Sequence, residues 1–152
     1  MINVEVFVDS KNWKKIIRNP KKLIIESIKK FPKKYSFVNK KIYVSLLLTN
    51  NKKIKLLNKR FRNKNKPTDI LSFPFFDKKN LQVNLKKKEF YLGDIIISHE
   101  EFLRKHKSDY KNEFIKIFIH GYLHLLNFDH KLDKDYKIMN TIEKKIFRKI
   151  DG

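Results

Sequence analysis

Alternating and continuous apolar segments predict four β-strands in this chain. Residues 2–8 (INVEVFV) alternate between apolar and polar side chains, which is the period of a strand with one buried face. Residues 42–48 (IYVSLLL) are almost continuously apolar, and this pattern predicts a strand in the middle of a sheet. Two further strands are predicted at residues 70–75 and 90–98.

Apolar residues at helical spacing predict the other elements. A first helical stretch starts at Trp13, after Ser10 as its N-cap, and is interrupted at Pro20. The remaining helices are predicted at residues 21–31, 51–61, 99–106, 110–126 and 134–149. Residues 77–89 (DKKNLQVNLKKKE) are polar and rich in lysine, and we predict a hairpin excursion or a surface loop there.

The order of these elements predicts the fold class. Strands and helices alternate in the first part of the chain, and helices cluster at its end. We therefore expect an α+β fold in which a small mixed four-stranded sheet is covered by helices. The length of 152 residues is that of one ordinary domain, and no repeat or long linker divides it, so a single domain is predicted over residues 1–152.

The net charge of +21 is weaker evidence of function than it first suggests. Only five of the 37 basic residues are arginines, and the chain contains no alanine. Lys, Ile, Asn and Phe have A/T-rich codons, so an A+T-rich genome explains the lysine clusters as solvated surface. The positive field would still attract polyanions. Arg62 stands out among lysines, because a planar guanidinium grips a phosphate or a carboxylate in a way that lysine cannot, although a structural pair would account for it equally well.

The composition excludes several kinds of site. The chain has no cysteine, so disulfides, thiolate zinc fingers, iron–sulfur clusters and thiol catalysis are excluded. It has three glycines and neither of the common phosphate-binding glycine motifs. The longest apolar runs, such as residues 46–48, are too short to cross a bilayer, and the N-terminus lacks the apolar segment of a signal peptide. We expect a cytoplasmic protein with no membrane partner.

Three of the five histidines lie close together in the segment 119–130 (IHGYLHLLNFDH). His120 and His124 are one helical turn apart and so share one face of a helix. Asn127 stands where this helix should end, and asparagine tolerates the left-handed conformation that ends many helices. The chain can therefore turn and bring His130 over the same face. Three imidazoles without a fourth protein ligand are typical of catalytic zinc, which keeps one position open for water.

Parts of this segment also fit simpler roles. The three histidines could be packed or surface residues, and that role is preferred for His99 and His106, which have no such partners. Asp129 is either a carboxylate that orients a ligand imidazole or an ordinary turn residue. The spacing also matches the metzincin proteases, H-E-x-x-H-x-x-G-x-x-H, but Gly121 replaces their general-base glutamate. Peptide hydrolysis is therefore disfavoured.

Three segments carry longer motifs. They are HGYLHLLNFDH at residues 120–130, LNKRFRNKNKPTDILSFP at 57–74 and LGDIIIS at 92–98. These segments resemble H-G-x-L-H-L-x-G-[YF]-D-H, L-N-x-x-[YF]-R-x-x-x-x-P-T-D-V-L-S-F-P and L-G-D-I-x-I-S of the YbeY family, in the family's order. That family consists of bacterial single-metal endoribonucleases that act in ribosomal RNA maturation. Asn127 departs from the family's glycine, but it can adopt the same turn.

The resemblance implies a function and its residues. It implies that His120, His124 and His130 bind one Zn²⁺ ion, and that Arg62 is the basic residue facing the metal across a cleft. It also implies a compact α+β fold, with ribosomal RNA and its precursors, the small ribosomal subunit and assembly factors as partners. The expected activity is zinc-dependent, single-strand-specific cleavage at the 3′ end of the small-subunit RNA, in maturation and in ribosome quality control.

Two questions stay open at the level of the sequence. The protein could instead be a non-catalytic ribosome-assembly factor whose zinc mainly holds the C-terminal helices. For a nuclease, neither the general acid nor the nucleophile, which could be water or the ribose 2′-hydroxyl, can be assigned from the sequence.

Overall fold

The structure, a computed structural model, describes all 152 residues. Its strands are β1 (Ile2–Val8), β2 (Lys41–Thr49), β3 (Ile70–Pro74) and β4 (Glu89–Ser98). Its helices are α1 (Trp13–Ile16), α2 (Pro20–Lys29), α3 (Lys33–Ser36), α4 (Asn51–Arg62), α5 (Lys78–Asn84), α6 (His99–Lys105), α7 (Tyr110–Leu125) and α8 (Asp133–Asp151). No helix combines the length and the apolar character that crossing a membrane requires.

The four strands form one mixed sheet in the order β1-β2-β4-β3. β1, β2 and β4 are parallel, whereas β3 runs antiparallel to β4 at the edge of the sheet. The predicted α+β class and the mixed four-stranded sheet are confirmed. β2 lies between two neighbours, as its continuous apolar sequence predicted, because a strand covered on both faces can carry apolar side chains at most positions.

Gly93 determines how closely β3 approaches β4. It has a φ of +147°, and a Cβ atom at this position would lie 2.3 Å from the carbonyl oxygen of Phe73. Only glycine tolerates both the backbone conformation and this contact. The edge strand, which carries one side of the candidate site, therefore depends on a glycine in its neighbour.

The main core lies between the sheet and α7. This helix is buried nearly all round, as its sequence predicted, and its residues Phe118 and Tyr122 are fully buried. The Tyr122 hydroxyl donates a hydrogen bond of 2.8 Å to the carbonyl oxygen of Tyr35, which satisfies its only polar atom. A smaller apolar cluster of Ile54, Leu71 and Ile96 packs α4 on the opposite face of the sheet.

The predicted loop over residues 77–89 was wrong, because α5 occupies Lys78–Asn84. Asp77 caps this helix, since its Oδ1 accepts the backbone N–H of Asn80 at 2.7 Å. Leu81 faces the core and is 3% exposed, while the lysines remain in solvent. A single buried leucine among polar residues is too weak a periodic signal to reveal such a helix. The short helix α3 after Pro32 was also not predicted.

Candidate metal centre

The end of α7 brings two histidines together. His120 and His124 are both half-buried, and their Nε2 atoms lie 3.2 Å apart. Their rings point to the same side of the helix because the residues are four positions apart. The two histidines are less buried than the apolar sequence around them predicted, because this side of α7 opens into a cleft.

The turn after α7 adds the third histidine. Asn127 adopts the left-handed conformation with a φ of +67°, and its Nδ2 donates to the carbonyl oxygen of Phe76 at 3.0 Å. The chain reverses there and places the His130 ring centroid 4.8 Å from that of His124. Each of the three histidines then has a ring nitrogen within 4.8 Å of one from each of the others. The predicted turn at Asn127 and the predicted histidine cluster are both confirmed as geometry.

Asp129 shapes this turn. Its Oδ1 accepts the backbone N–H groups of His130 at 2.6 Å and Lys131 at 3.2 Å. The hydrogen bond from His130 is the main reason why the pKa of the Asp129 carboxyl is lowered. Of the two roles that the sequence left open for Asp129, the structure favours the turn residue.

A different carboxylate contacts the triad, and it was not predicted from the sequence. Glu143, on α8, has its Oε1 2.8 Å from Nδ1 of His120. The signal that could have found it lies in the spacing of α8, where Met139, Ile146 and Ile150 form the buried stripe. Glu143 stands in that stripe, four residues after Met139 and three before Ile146, where an apolar residue is expected.

The surroundings of His124 favour its neutral form. Burial, followed by the charges on neighbouring His120 and His130, lowers the pKa of His124 to about 4. A neutral imidazole offers a lone pair to a cation, and a set of three histidine nitrogens suits zinc and related divalent ions. The residues present therefore fit a bound metal ion.

The triad opens into a cleft of about 930 Å³ with two walls. The first, which we call the histidine wall, is formed by α7, the turn after it and α8. The second, the arginine wall, is formed by the end of α4, residues 63–69 and β3. The lining includes six basic residues, Arg62, Lys64, Lys66, Lys105, Lys116 and Lys131, against four acidic ones, Asp69, Glu113, Asp129 and Glu143.

Arg62 ends α4 and lies on the arginine wall. One guanidinium nitrogen, Nη2, donates to the carbonyl oxygen of Ser72 on β3 at 2.7 Å, and the guanidinium carbon lies 5.2 Å from the ring centroid of Phe73. None of the ion pairs in the structure involves Arg62. Arg62 therefore does not form the structural ion pair that was the alternative explanation for an arginine at this position. Its other N–H groups are available to the cleft.

The two remaining histidines are outside the triad. His99 is 5% exposed and packs edge-on against Trp13, so of the packed and surface roles expected for it the structure shows the packed one. His106 lines the cleft, and its Nδ1 lies 3.3 Å from Oε2 of Glu113. The cleft therefore holds two histidine–glutamate pairs, of which only one belongs to the triad.

Gly121 explains the absent protease glutamate in physical terms. A Cβ atom there would lie 2.8 Å from Cδ1 of Ile70 and 3.1 Å from both Cγ2 of Ile95 and Oγ of Ser72. This side of α7 is pressed against the sheet, so a glutamate side chain would be directed into the packed interface. The position carries no base for peptide hydrolysis.

The family model described as Endoribonuclease YbeY matches residues 7–151. The chain belongs to the YbeY family. The match extends well beyond residues 57–130, where the sequence motifs lie, and it confirms the resemblance found there. It includes the three histidines, Arg62 and Glu143.

Individual relatives agree with this assignment. The endoribonuclease YbeY of Pelagibacter ubique is 49% identical over 152 residues, which cover 97% of this chain and 95% of that protein. The endoribonuclease YbeY of Ehrlichia canis is 33% identical, with coverage of 97% and 92%. The solution structure of a Thermotoga maritima protein is similar with a TM-score of 0.57 and 27% identity, and the similarity covers 99% of this chain and 89% of that one.

Proposed function

We propose that this protein is a zinc-dependent endoribonuclease that cleaves single-stranded ribosomal RNA, with one domain over residues 1–152 supplying the activity. The observation that carries the proposal is the convergence of three imidazole nitrogens in a cleft that also contains Arg62. Membership of the YbeY family and relatives named as endoribonucleases support it.

The histidine wall would hold the metal ion. His120, His124 and His130 would bind it through one ring nitrogen each, and the lowered pKa of His124 keeps that imidazole neutral at physiological pH. A zinc ion held there would supply Lewis-acid assistance to the cleavage of a phosphodiester.

Arg62 would bind the phosphate. Cleavage of a phosphodiester places additional negative charge on the phosphate oxygens, and a guanidinium can contact two of them at once. The hydrogen bond to Ser72 and the stacking on Phe73 restrict the side chain before substrate binds, so little conformational freedom is lost on binding. Arg62 is thus the residue we assign to stabilising the charged phosphate.

The basic residues along the cleft would guide the RNA backbone. Lys64 and Lys66 lie on the arginine wall, and Lys116 and Lys131 lie on the histidine wall. Contacts of this kind depend on charge and carry little sequence information. We propose that the 3′ end of the small-subunit RNA is the substrate in the cytoplasm, during maturation and quality control, and that the small subunit and its assembly factors present it.

The test combines metal content and cleavage. The purified protein is expected to contain about one zinc per chain and to cleave single-stranded RNA. Cleavage should stop on addition of a chelator, return when zinc is restored, and leave the circular dichroism spectrum unchanged. A protein that retains its zinc and its fold but cleaves no RNA, including small-subunit precursor within the ribosomal particle, would contradict the proposal and favour a non-catalytic assembly factor.

The chemical groups at the ends of the cleaved RNA distinguish attack by water from attack by the ribose 2′-hydroxyl. Attack by the ribose 2′-hydroxyl leaves a 2′,3′-cyclic phosphate, whereas direct hydrolysis by water does not. Mass spectrometry of the products of a short single-stranded RNA reports which of the two occurs.

A further inference from the structure

Glu143 and His120 form a contact between two helices that the metal site itself does not require. Oε1 of Glu143 on α8 lies 2.8 Å from Nδ1 of His120 on α7, and the two residues are 23 positions apart in sequence. Glu143 is only 28% exposed, so solvent screens this contact less than it would a surface pair. The carboxylate thus has a defined partner on the neighbouring helix.

The contact uses the ring nitrogen that faces away from the triad. Nε2 of His120 lies 3.2 Å from Nε2 of His124, so it is the Nε2 atom that points to the shared metal position. A carboxylate at Nδ1 accepts a hydrogen bond from a proton on that nitrogen, which leaves the lone pair on Nε2. The hydrogen bond therefore selects the tautomer that can bind a metal and limits rotation of the ring.

The other two histidines are held differently. The only side-chain hydrogen-bonding partner of the His124 ring is His120 itself, and the exposed His130 has no side-chain hydrogen bond in the structure. His120 is therefore the one member of the triad whose imidazole ring is hydrogen-bonded to a carboxylate.

The position of Glu143 in α8 argues against a packing role. It lies in the buried stripe of Met139, Ile146 and Ile150, where an apolar side chain would contribute more to the core. A carboxylate at such a position costs stability unless it is paired. Its partner is the imidazole of His120, so the polar group in this stripe is paired with a member of the triad.

We propose that Glu143 is a positioning residue that orients His120 for metal binding and adds negative charge behind it. The inference rests on the metal site of the proposed function but not on RNA cleavage. Residues in this role typically change metal affinity by roughly 10–100-fold when they are removed.

The experiment measures zinc affinity in the full-length protein by competition with a chromophoric chelator. Glu143→Met is nearly isosteric and completes the apolar stripe, so the metal-free variant should unfold at a temperature at least as high as the parent. Its zinc dissociation constant should nevertheless rise roughly 10–100-fold. Glu143→Gln keeps an acceptor oxygen and should recover part of this loss.

The second glutamate of the cleft provides the matched control. Glu113 contacts His106, which is outside the triad, with 3.3 Å between Oε2 and Nδ1. Glu113→Gln removes one negative charge from the same cleft and should leave the zinc dissociation constant unchanged. The visible spectrum of the cobalt-substituted protein should shift in Glu143→Met and stay unchanged in Glu113→Gln, because only the first alters a ligand's orientation.

Two results would overturn the inference. One is a Glu143→Met protein with the parent's zinc affinity and cobalt spectrum, since Glu143 would then only fill space. The other is an equal loss of affinity in Glu113→Gln, since the effect would then come from the overall charge of the cleft. A parent protein that binds zinc but cleaves no RNA would contradict the proposed function and leave this inference standing.

Discussion

The histidine triad and Arg62, on the two walls of the cleft, suit ligands of opposite charge. The histidine wall presents three imidazole rings whose nitrogens converge, with the Glu143 carboxylate behind one of them, an arrangement suited to a cation. The arginine wall presents Arg62 with Lys64 and Lys66, an arrangement suited to an anion. A metal ion and a phosphate can therefore be brought to one place without competing for the same side chains.

The walls also differ in how they are held. The ligands of the histidine wall lie on one helix and the turn that follows it, so eleven consecutive residues, 120–130, carry all three. Arg62 reaches its position through a contact between α4 and β3, the hydrogen bond to Ser72. The triad is thus a local feature of the chain, whereas the distance between the triad and Arg62 depends on how separate elements pack. Changes to each wall should have separable effects.

The largest effect is expected from His124→Ala, which removes the central ligand of the histidine wall. Zinc content should fall from about one ion per chain to almost none, because two imidazoles leave the ion weakly held. Cleavage of RNA should be lost with it. Elemental analysis after gel filtration and a cleavage assay check both outcomes. His99→Ala is an unsuitable control because His99 is buried, so His106→Ala serves instead and should retain its zinc.

Arg62→Ala should most clearly separate the role of the arginine wall in cleavage from the role of the histidine wall in binding zinc. Zinc content should stay at the parent level, while the cleavage rate at saturating RNA should fall by roughly 10²–10³-fold, the usual cost of removing a donor that stabilises developing charge. Arg62→Lys should restore only part of the rate, because an ammonium group cannot contact two oxygens in a fixed geometry.

The neighbouring Arg60 supplies the control for this prediction. It lies on the same helix, with its guanidinium carbon 5.3 Å from the ring centroid of Phe61, and it does not line the cleft. Arg60→Ala removes the same charge and should change the rate at saturating RNA by less than Arg62→Ala does. Equal losses in both variants would mean that Arg62 acts only through the overall charge.

Gly93→Ala should disturb the arginine wall through its backbone. The added Cβ atom would collide with the carbonyl oxygen of Phe73 at 2.3 Å, and alanine disfavours a φ of +147°. A loss of about 1–3 kcal/mol in the free energy of unfolding is expected, measured by urea denaturation of the metal-free protein.

Gly121→Ala adds a Cβ atom where α7 packs on the sheet. It should lower the free energy of unfolding by less than Gly93→Ala does. The nearest atom to its added Cβ is the movable end of the Ile70 side chain, and alanine gains about 1 kcal/mol of helix propensity over glycine. If Gly121→Ala proves the more destabilising of the two, the packing of α7 on the sheet is less adaptable than the strand pairing.

Asn127→Gly should have the smallest effect of these changes. Asn127→Gly keeps the left-handed turn and loses the hydrogen bond to Phe76, so stability and zinc affinity should change little. Asn127→Ala should cost about 1–2 kcal/mol, because alanine is strained at a positive φ. Thermal unfolding of the metal-free and zinc-loaded forms measures both. A large loss of zinc in Asn127→Gly would show that the amide itself holds the turn.

The sequence by itself determined the features that depend on residues close together in the chain. Alternating and periodic apolar positions predicted all four strands and the long helices, and the spacing of His120, His124 and His130 around Asn127 predicted the triad. Backbone geometry alone brings such residues to one face of a helix and its turn. The same local rules missed α5, whose buried side holds little more than Leu81.

Only the tertiary structure decided which distant residues meet the triad. It replaced Asp129 by Glu143 as the carboxylate at a ligand imidazole, and it placed Arg62 against Ser72 in the cleft that the histidines line. These contacts join α7 to α8 and α4 to β3, and their geometry follows from how helices and sheet pack into one core. No spacing within a single segment encodes that packing, because it is the shared result of apolar side chains from the whole chain being buried together.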